Sequence, residues 1–237
     1  MNRLLPDGAA MPAVLHELRT WTSAVSGWSR ILQLRRSASE VDRALRAIER
    51  SSVAMERFIA DLGLLSRGAE TPFSLYLENV NLLAVVDAAL DVVRPRAELK
   101  EVTFVWLPPG DWIPVVCGDQ LRLQQIICNL LMNALQFSPR GGRVAITLTT
   151  TPDHARIGVE DSGPGISRAF LPSIFEPFAQ DPAVHHGDGS GLGLAIAKTL
   201  AELQQGHLDV EPGGGGRGAV FHVQLPLVRY QPAAAYA

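Results

Sequence analysis

Between Met11 and Leu32 the apolar residues fall at Met11, Val14, Leu18, Trp21, Val25, Trp28 and Leu32, a 3-4 alternation that predicts one long helix packed along a single seam. Arg35 to Ser39 interrupts the pattern, and Ser37 with Glu40 three residues on reads as a capping box opening a second helix. Its seam runs through Val41, Leu45, Ile48, Ser52, Met55, Ile59 and Leu62. Together they predict a helical hairpin over 11–67. A seam of this length leaves apolar surface in water unless a second copy covers it, so a dimeric four-helix bundle is expected.

The pattern then changes period. Residues 68–79, with Gly68, Pro72 and few periodic apolar positions, read as a linker, and a second domain is expected over 80–228. Within it a helix is predicted from Leu82 to Val93, strands at Val102–Leu107 and Val115–Cys117, and a helix from Asp119 to Phe137. Val144–Thr150 and Ala155–Glu160 alternate like a hairpin, a helix is expected to end near Leu203, and His207–Val210 and Ala219–Leu225 read as closing strands around a turn at Gly213–Gly218.

Composition narrows the function classes. The chain has 237 residues, 47% of them hydrophobic, which is enough for a real core, and a net charge of -3 with no Lys/Arg-rich stripe gives no case for nucleic acid. Cys117 and Cys128 match no metal spacing and are too few for a disulfide framework, which suits reduced thiols in a cytoplasmic protein. No apolar run approaches the roughly 20 residues that span a bilayer, so no membrane contact is expected.

Four stretches carry candidate chemistry. Asp161-Ser162-Gly163-Pro164-Gly165-Ile166 places a carboxylate at the mouth of a strand before two glycines; such a group offers only acceptors and suits an amine like the exocyclic amine of adenine, against the plainer reading of an acidic turn. Gln125, Asn129 and Asn133 form a polar column on an otherwise apolar helix, fit either for a buried hydrogen-bond network or for a ligand or hydrated Mg2+. Gly189-Ser190-Gly191-Leu192-Gly193-Leu194 opens a helix and could receive a phosphate at its free N–H groups. His16 sits at heptad position f, away from the seam, with Glu17 beside it and Thr20 one turn on; this could be an ordinary exposed histidine or a proton-transfer site. Ile174-Phe175-Glu176-Pro177-Phe178 reads as packing, and His185 and His186 lack further metal ligands nearby.

In chain order, His16-Glu17-Leu18-Arg19-Thr20, Asn129-Leu130-Leu131-Met132-Asn133-Ala134, Asp161 to Ile166, Phe175-Glu176-Pro177-Phe178 and Gly189 to Leu194 resemble the transmitter region of bacterial sensor histidine kinases, over about Met11 to Leu227. The resemblance implies an α+β protein: a dimerisation and phosphotransfer hairpin, then a Bergerat-type ATP-binding α/β sandwich, a mixed sheet with helices on one face. It implies ATP and Mg2+ as cofactors, a homodimer, and a response-regulator receiver domain as partner. On that basis His16 attacks the γ-phosphate, Glu17 takes up its proton and Thr20 serves dephosphorylation. Asn129 ligands Mg2+ beside Asn133, Asp161 accepts from adenine, Gly163 and Gly165 let the base approach, and Gly189, Gly191, Leu192 and Gly193 form the hinge and phosphate end of the lid. Trp21 replaces the usual proline after the threonine, so the usual helix bend is expected to be absent. Gln136 replaces a frequent Lys or Arg, and Gln125 a frequent Glu. Gln136 and Trp21 motivate one alternative, a degenerate ATP-binding scaffold; a phosphatase-biased regulator is the other.

Overall fold

The computed structural model describes residues 10–33, 38–66, 74–108, 112–181, 190–213 and 218–228. The chain divides into two compact units after Phe73, with His186–Leu192 grouped with the first.

The first unit contains α1 (Ala10–Gln33) and α2 (Ala38–Ser66). Leu18, Trp21, Val25, Trp28 and Leu32 are half-buried, as the 3-4 seam of α1 predicts, and α1 runs unbroken through Trp21, whose ring meets Phe58 edge-on at 4.9 Å between centroids. On α2 the face turned inward differs from the expected one. Ala44, Ala47, Phe58 and Leu65 are buried, while Leu45 and Ile59 are 53% and 56% exposed. Val41, Ile48, Met55 and Leu62 belong to both the expected and the observed stripe, because each recurs every seven residues; the alternate position is the residue one earlier than expected. Small Ala44 and Ala47 allow close approach to α1, and the aromatic Phe58 gains more area there than Ile59 would. Ser37 of the capping box lies outside the described residues.

The second unit is a five-stranded sheet in the order β2-β4-β5-β7-β6, with a separate two-stranded ribbon of β1 and β3. The elements are β1 (Glu78–Asn81), α3 (Leu82–Lys100), β2 (Thr103–Trp106), β3 (Val115–Gly118), α4 (Gln120–Phe137), β4 (Arg143–Thr150), β5 (His154–Glu160), a 3-10 turn at Leu171–Ser173, α5 (Gly193–Leu203), β6 (His207–Glu211) and β7 (Val220–Pro226). β2 runs parallel to β4 and every other pair in the sheet is antiparallel, so the sheet is mixed. Val144, Ile146 and Leu148 are buried and alternate with more exposed residues on β4, as Phe221, Val223 and Leu225 alternate with half-buried ones on β7, and these buried residues meet the helix layer. The sandwich expected after residue 80 is therefore present.

Two boundaries move. The sequence pattern ends α3 at Val93, but the helix continues through Pro95 to Lys100. Val93 and Ala97, four residues apart, are both buried, so the apolar face extends past the proline and its packing outweighs one lost backbone bond; the helix ends where Glu101 turns left-handed at φ 58°. The expected linker, 68–79, is not linker to its end. Glu78 pairs with Gly118 in the β1–β3 ribbon, and Tyr76 N–H donates to Asp119 Oδ2 at 3.1 Å, so ordered structure begins before residue 80.

Candidate functional site

β5 delivers Asp161 to the end of the sheet, where its N–H donates to Ala219 O beside β7 at 3.0 Å. The side chain is only 6% exposed. Oδ1 accepts from Gly163 N–H at 2.7 Å, and Oδ2 accepts no hydrogen bond among the described residues. Burial raises the carboxyl pKa above its usual value; the backbone N–H groups of Gly163 and Ala219 oppose the rise, and the charge of Glu160 adds to it. Glycines crowd this carboxylate. A Cβ on Gly163 would lie 2.8 Å from both Asp161 Oδ1 and Phe137 O, and one on Gly218 would overlap the Asp161 backbone and carboxylate. Gly165 takes φ 82°, open to glycine and strained for other residues.

The loop after Asp161 is held in place by hydroxyls. Ser162 N–H donates to Ser138 Oγ at 3.2 Å, and Ser162 Oγ accepts from Arg143 N–H at 2.9 Å, tying the loop to the end of α4 and the start of β4. Ser138 is fully buried. The Lys100 ammonium caps the same end of α4, donating to the carbonyls of Leu135 and Gln136 at 2.7 and 2.8 Å. Sequence reading missed Gly218, Ser138 and Lys100 as supports of this loop. Only the glycine clusters carried a signal, since every partner is distant in sequence.

On α4, Leu123, Ile126, Ile127, Leu130, Leu131 and Leu135 are buried as expected, and Asn129 and Asn133 are half-buried among them. Asn129 Nδ2 donates to Gly193 O at 3.1 Å, linking α4 to the first residue of α5 and leaving Oδ1 as the unspent end of the amide. Gln125 does not share that arrangement: its Oε1 accepts from Arg122 Nη1 at 2.9 Å, a local bond one turn back. The last turns of α4 and the Asp161 loop thus come together, with Phe137 O against Gly163. Phe175 stacks edge-on against Phe221 at 6.4 Å and lies under Lys198 Nζ at 5.4 Å, which fits the expected packing role.

Ser190–Leu192 groups with the first unit and is described by itself: Gly191 takes φ 71°, Leu192 is buried, and Leu192 N–H reaches Ser190 Oγ at 3.4 Å. Gly189, His185 and His186 lie outside the described residues. His16 and Glu17 lie on α1, their side chains outside what is described; Thr20, four residues after His16 on the same helix face, is exposed. Among the described residues there is no cluster of metal-ligating side chains, and no helix long and apolar enough to cross a membrane.

Chemically, this unit offers a buried acceptor with one open oxygen in a glycine-lined recess, and two amides on the neighbouring helix. Residues 118–229 match the family model described as histidine kinase-, DNA gyrase B- and HSP90-like ATPase. The sensor histidine kinase AtsR of Burkholderia thailandensis is 32% identical over 226 residues, covering 92% of this chain, which spans 37% of AtsR. A mycobacterial sensor histidine kinase structure, MprB, is 34% identical with a TM-score of 0.59 and covers 63% of this chain and 98% of its own. Full-length ShkA in complex with AMPPNP is 28% identical with a TM-score of 0.67, covering 94% of this chain and 46% of that one.

Proposed function

This chain belongs to the sensor histidine kinase family, and from that premise we propose that it binds ATP through the unit beginning at Ser74, phosphorylates His16 and passes the phosphoryl group to an aspartate of a response-regulator receiver domain. The observation that carries the reading is the Asp161 recess: a buried carboxylate with one open oxygen, flanked by glycines that admit no side chain. That oxygen accepts from the exocyclic amine of adenine, with Gly163 and Gly165 leaving room for the base. Gly189, Gly191, Leu192 and Gly193 serve the phosphate side.

The amide chemistry of α4 fits Mg2+. With Asn129 Nδ2 spent on Gly193 O, the hard Oδ1 oxygen is the end left for a cation, and Asn133 stands one turn on. Bound there, Mg2+ would offset the charge of the triphosphate. The chain's own step is at His16: a neutral imidazole nitrogen bonds to the γ-phosphorus, the bond to the bridging oxygen breaks as ADP leaves, and Glu17 takes the imidazole proton. Thr20, on the same helix face, orients water when phosphate is removed from the receiver. A homodimer accounts for Leu45 and Ile59, which stand exposed along α2 where a second copy would cover them. The chain works in the cytoplasm.

Incubation with γ-labelled ATP tests the proposal. The parent should take up acid-labile, base-stable label and His16→Gln none, with ATP affinity preserved; equal labelling of the variant would overturn the role of His16. Thr20→Ala should label normally but release phosphate from the receiver more slowly.

A further inference from the structure

Away from the residues assigned to nucleotide, a cleft of about 400 Å³ opens between α3 and β2, lined by Asp87, Leu90, Asp91, Arg94, Phe104 and Trp106. Its volume is in the range of small-ligand sites. Asp87, Asp91 and Arg94 follow one another at i, i+4 and i+7 along one face of α3, with Leu90 buried among them. Phe104 and Trp106 are the half-buried residues of β2, whose alternate residues Thr103 and Val105 are exposed. β2 is an edge strand, so nothing from the sheet covers this side.

The hydrogen bonds decide what the cleft can hold. Trp106 Nε1–H donates to Asp87 Oδ1 at 2.9 Å, which fixes the indole and spends its only donor. Asp87 Oδ2 has no partner among the described residues. Arg94 Nη2 donates to Asp91 Oδ1 at 3.2 Å, so the one cation of the cleft is already matched. Two carboxylates against one guanidinium leave one net negative charge, located at Asp87 beside two aromatic rings. A carboxylate with an open oxygen and an aromatic wall both favour a cation, the first by charge-assisted hydrogen bonding and the second through the ring quadrupole. An anion would have to displace Asp91 from Arg94 and face Asp87.

We propose that this cleft is a binding site for an organic cation, an ammonium or guanidinium group on a short aliphatic stem. The head group hydrogen-bonds to Asp87 Oδ2 and the stem lies against Leu90, Phe104 and Trp106. A free aliphatic amine and a Lys or Arg side chain of another protein share this chemistry.

The test is titration of the isotopically labelled full chain, read by NMR at the Trp106 indole N–H and the amides from Asp87 to Arg94. The probes are n-butylammonium, n-butylguanidinium and N-acetyl-lysine amide, with n-butanol and inorganic phosphate as neutral and anionic controls at constant ionic strength. Saturable shifts with the cations, and not with the controls, are expected. Tighter binding of N-acetyl-lysine amide than of n-butylammonium would identify the protein side chain as the source, and the reverse order the free amine. Asp87→Asn keeps an oxygen for Trp106 Nε1–H, so the fold should hold, yet it should weaken cation binding about fivefold and leave ATP affinity unchanged. Equal shifts with n-butanol, saturation by phosphate instead of the cations, no saturable shift with any probe, or an Asp87→Asn variant that binds cations like the parent would overturn the proposal.

Discussion

Asp119 and Asp161 are equally buried, each 6% exposed, and both stand where a strand gives way to the next element, yet they are spent differently. Asp119 gives both oxygens to backbone donors: Oδ1 accepts from Arg122 N–H at 3.1 Å, capping α4, and Oδ2 from Tyr76 N–H at 3.1 Å, holding the entry of the chain into the second unit. Its own N–H is met by Gln204 Oε1 at 2.7 Å. Asp161 commits Oδ1 alone, keeps Oδ2 open, and has glycines packed around it where side chains would otherwise fill space. Burial of a carboxylate therefore does not distinguish structure from recognition. On the function proposed above, what distinguishes them is whether the protein has used the acceptors itself: Asp119 has spent both oxygens, and Asp161 leaves Oδ2 to a ligand.

The comparison can be broken from either side. Gly218→Ala should have the largest effect, because the new Cβ overlaps the Asp161 backbone and neither can yield without moving β7; a stability loss of about 3 kcal/mol in urea unfolding is expected, with ATP binding lost as well. Asp119→Asn comes next. An amide keeps one acceptor but turns a donor toward the other N–H, so about 2 kcal/mol of stability should be lost, again by urea unfolding, while ATP affinity at a temperature where the variant is folded stays near the parent's. Ser162→Ala removes only the acceptor for Arg143 N–H and should cost about 1 kcal/mol, with a small loss of ATP affinity by titration calorimetry as the loop loosens.

The smallest expected effect is on pH dependence. Burial holds the Asp161 carboxyl above the 3.8 of a free aspartate, so as pH rises between the unfolded and folded values the native state retains a proton that the unfolded chain has lost. The group thus favours folding below that window, and the contribution disappears as pH rises through the folded value. Thermal unfolding of nucleotide-free Asp161→Asn should show higher stability than the parent above the window, with the gap closing on acidification.

Much of this was legible in the sequence because it rests on local period and local chemistry. The α1 seam, the buried face of α4 and the alternating strands β4, β5 and β7 each follow from spacing alone. Asp161 was legible for the same reason, standing between an alternating run and two glycines. What escaped depended on partners far along the chain. Val41, Ile48, Met55 and Leu62 serve two adjacent stripes, and only contact with α1 selects Phe58 over Ile59. Pro95 reads as a helix stop until Ala97 is seen buried beyond it. Gly218 reads as a turn residue until the Asp161 backbone is found against it, and Lys100 as a surface charge until it caps a helix thirty-five residues later.

The most direct measurement is equilibrium titration of ATP into Asp161→Asn and Asp119→Asn side by side, with unfolding curves for both. The substitution is chemically the same in each. At Asp161 it should place a donor opposite the adenine amine, lowering affinity by roughly 2–3 kcal/mol, about a hundredfold, without loss of stability. At Asp119 it should lower stability and spare affinity. If Asp161→Asn instead bound ATP like the parent, or Asp119→Asn lost ATP while keeping its stability, the open oxygen of Asp161 would not be the adenine acceptor and the account would be contradicted.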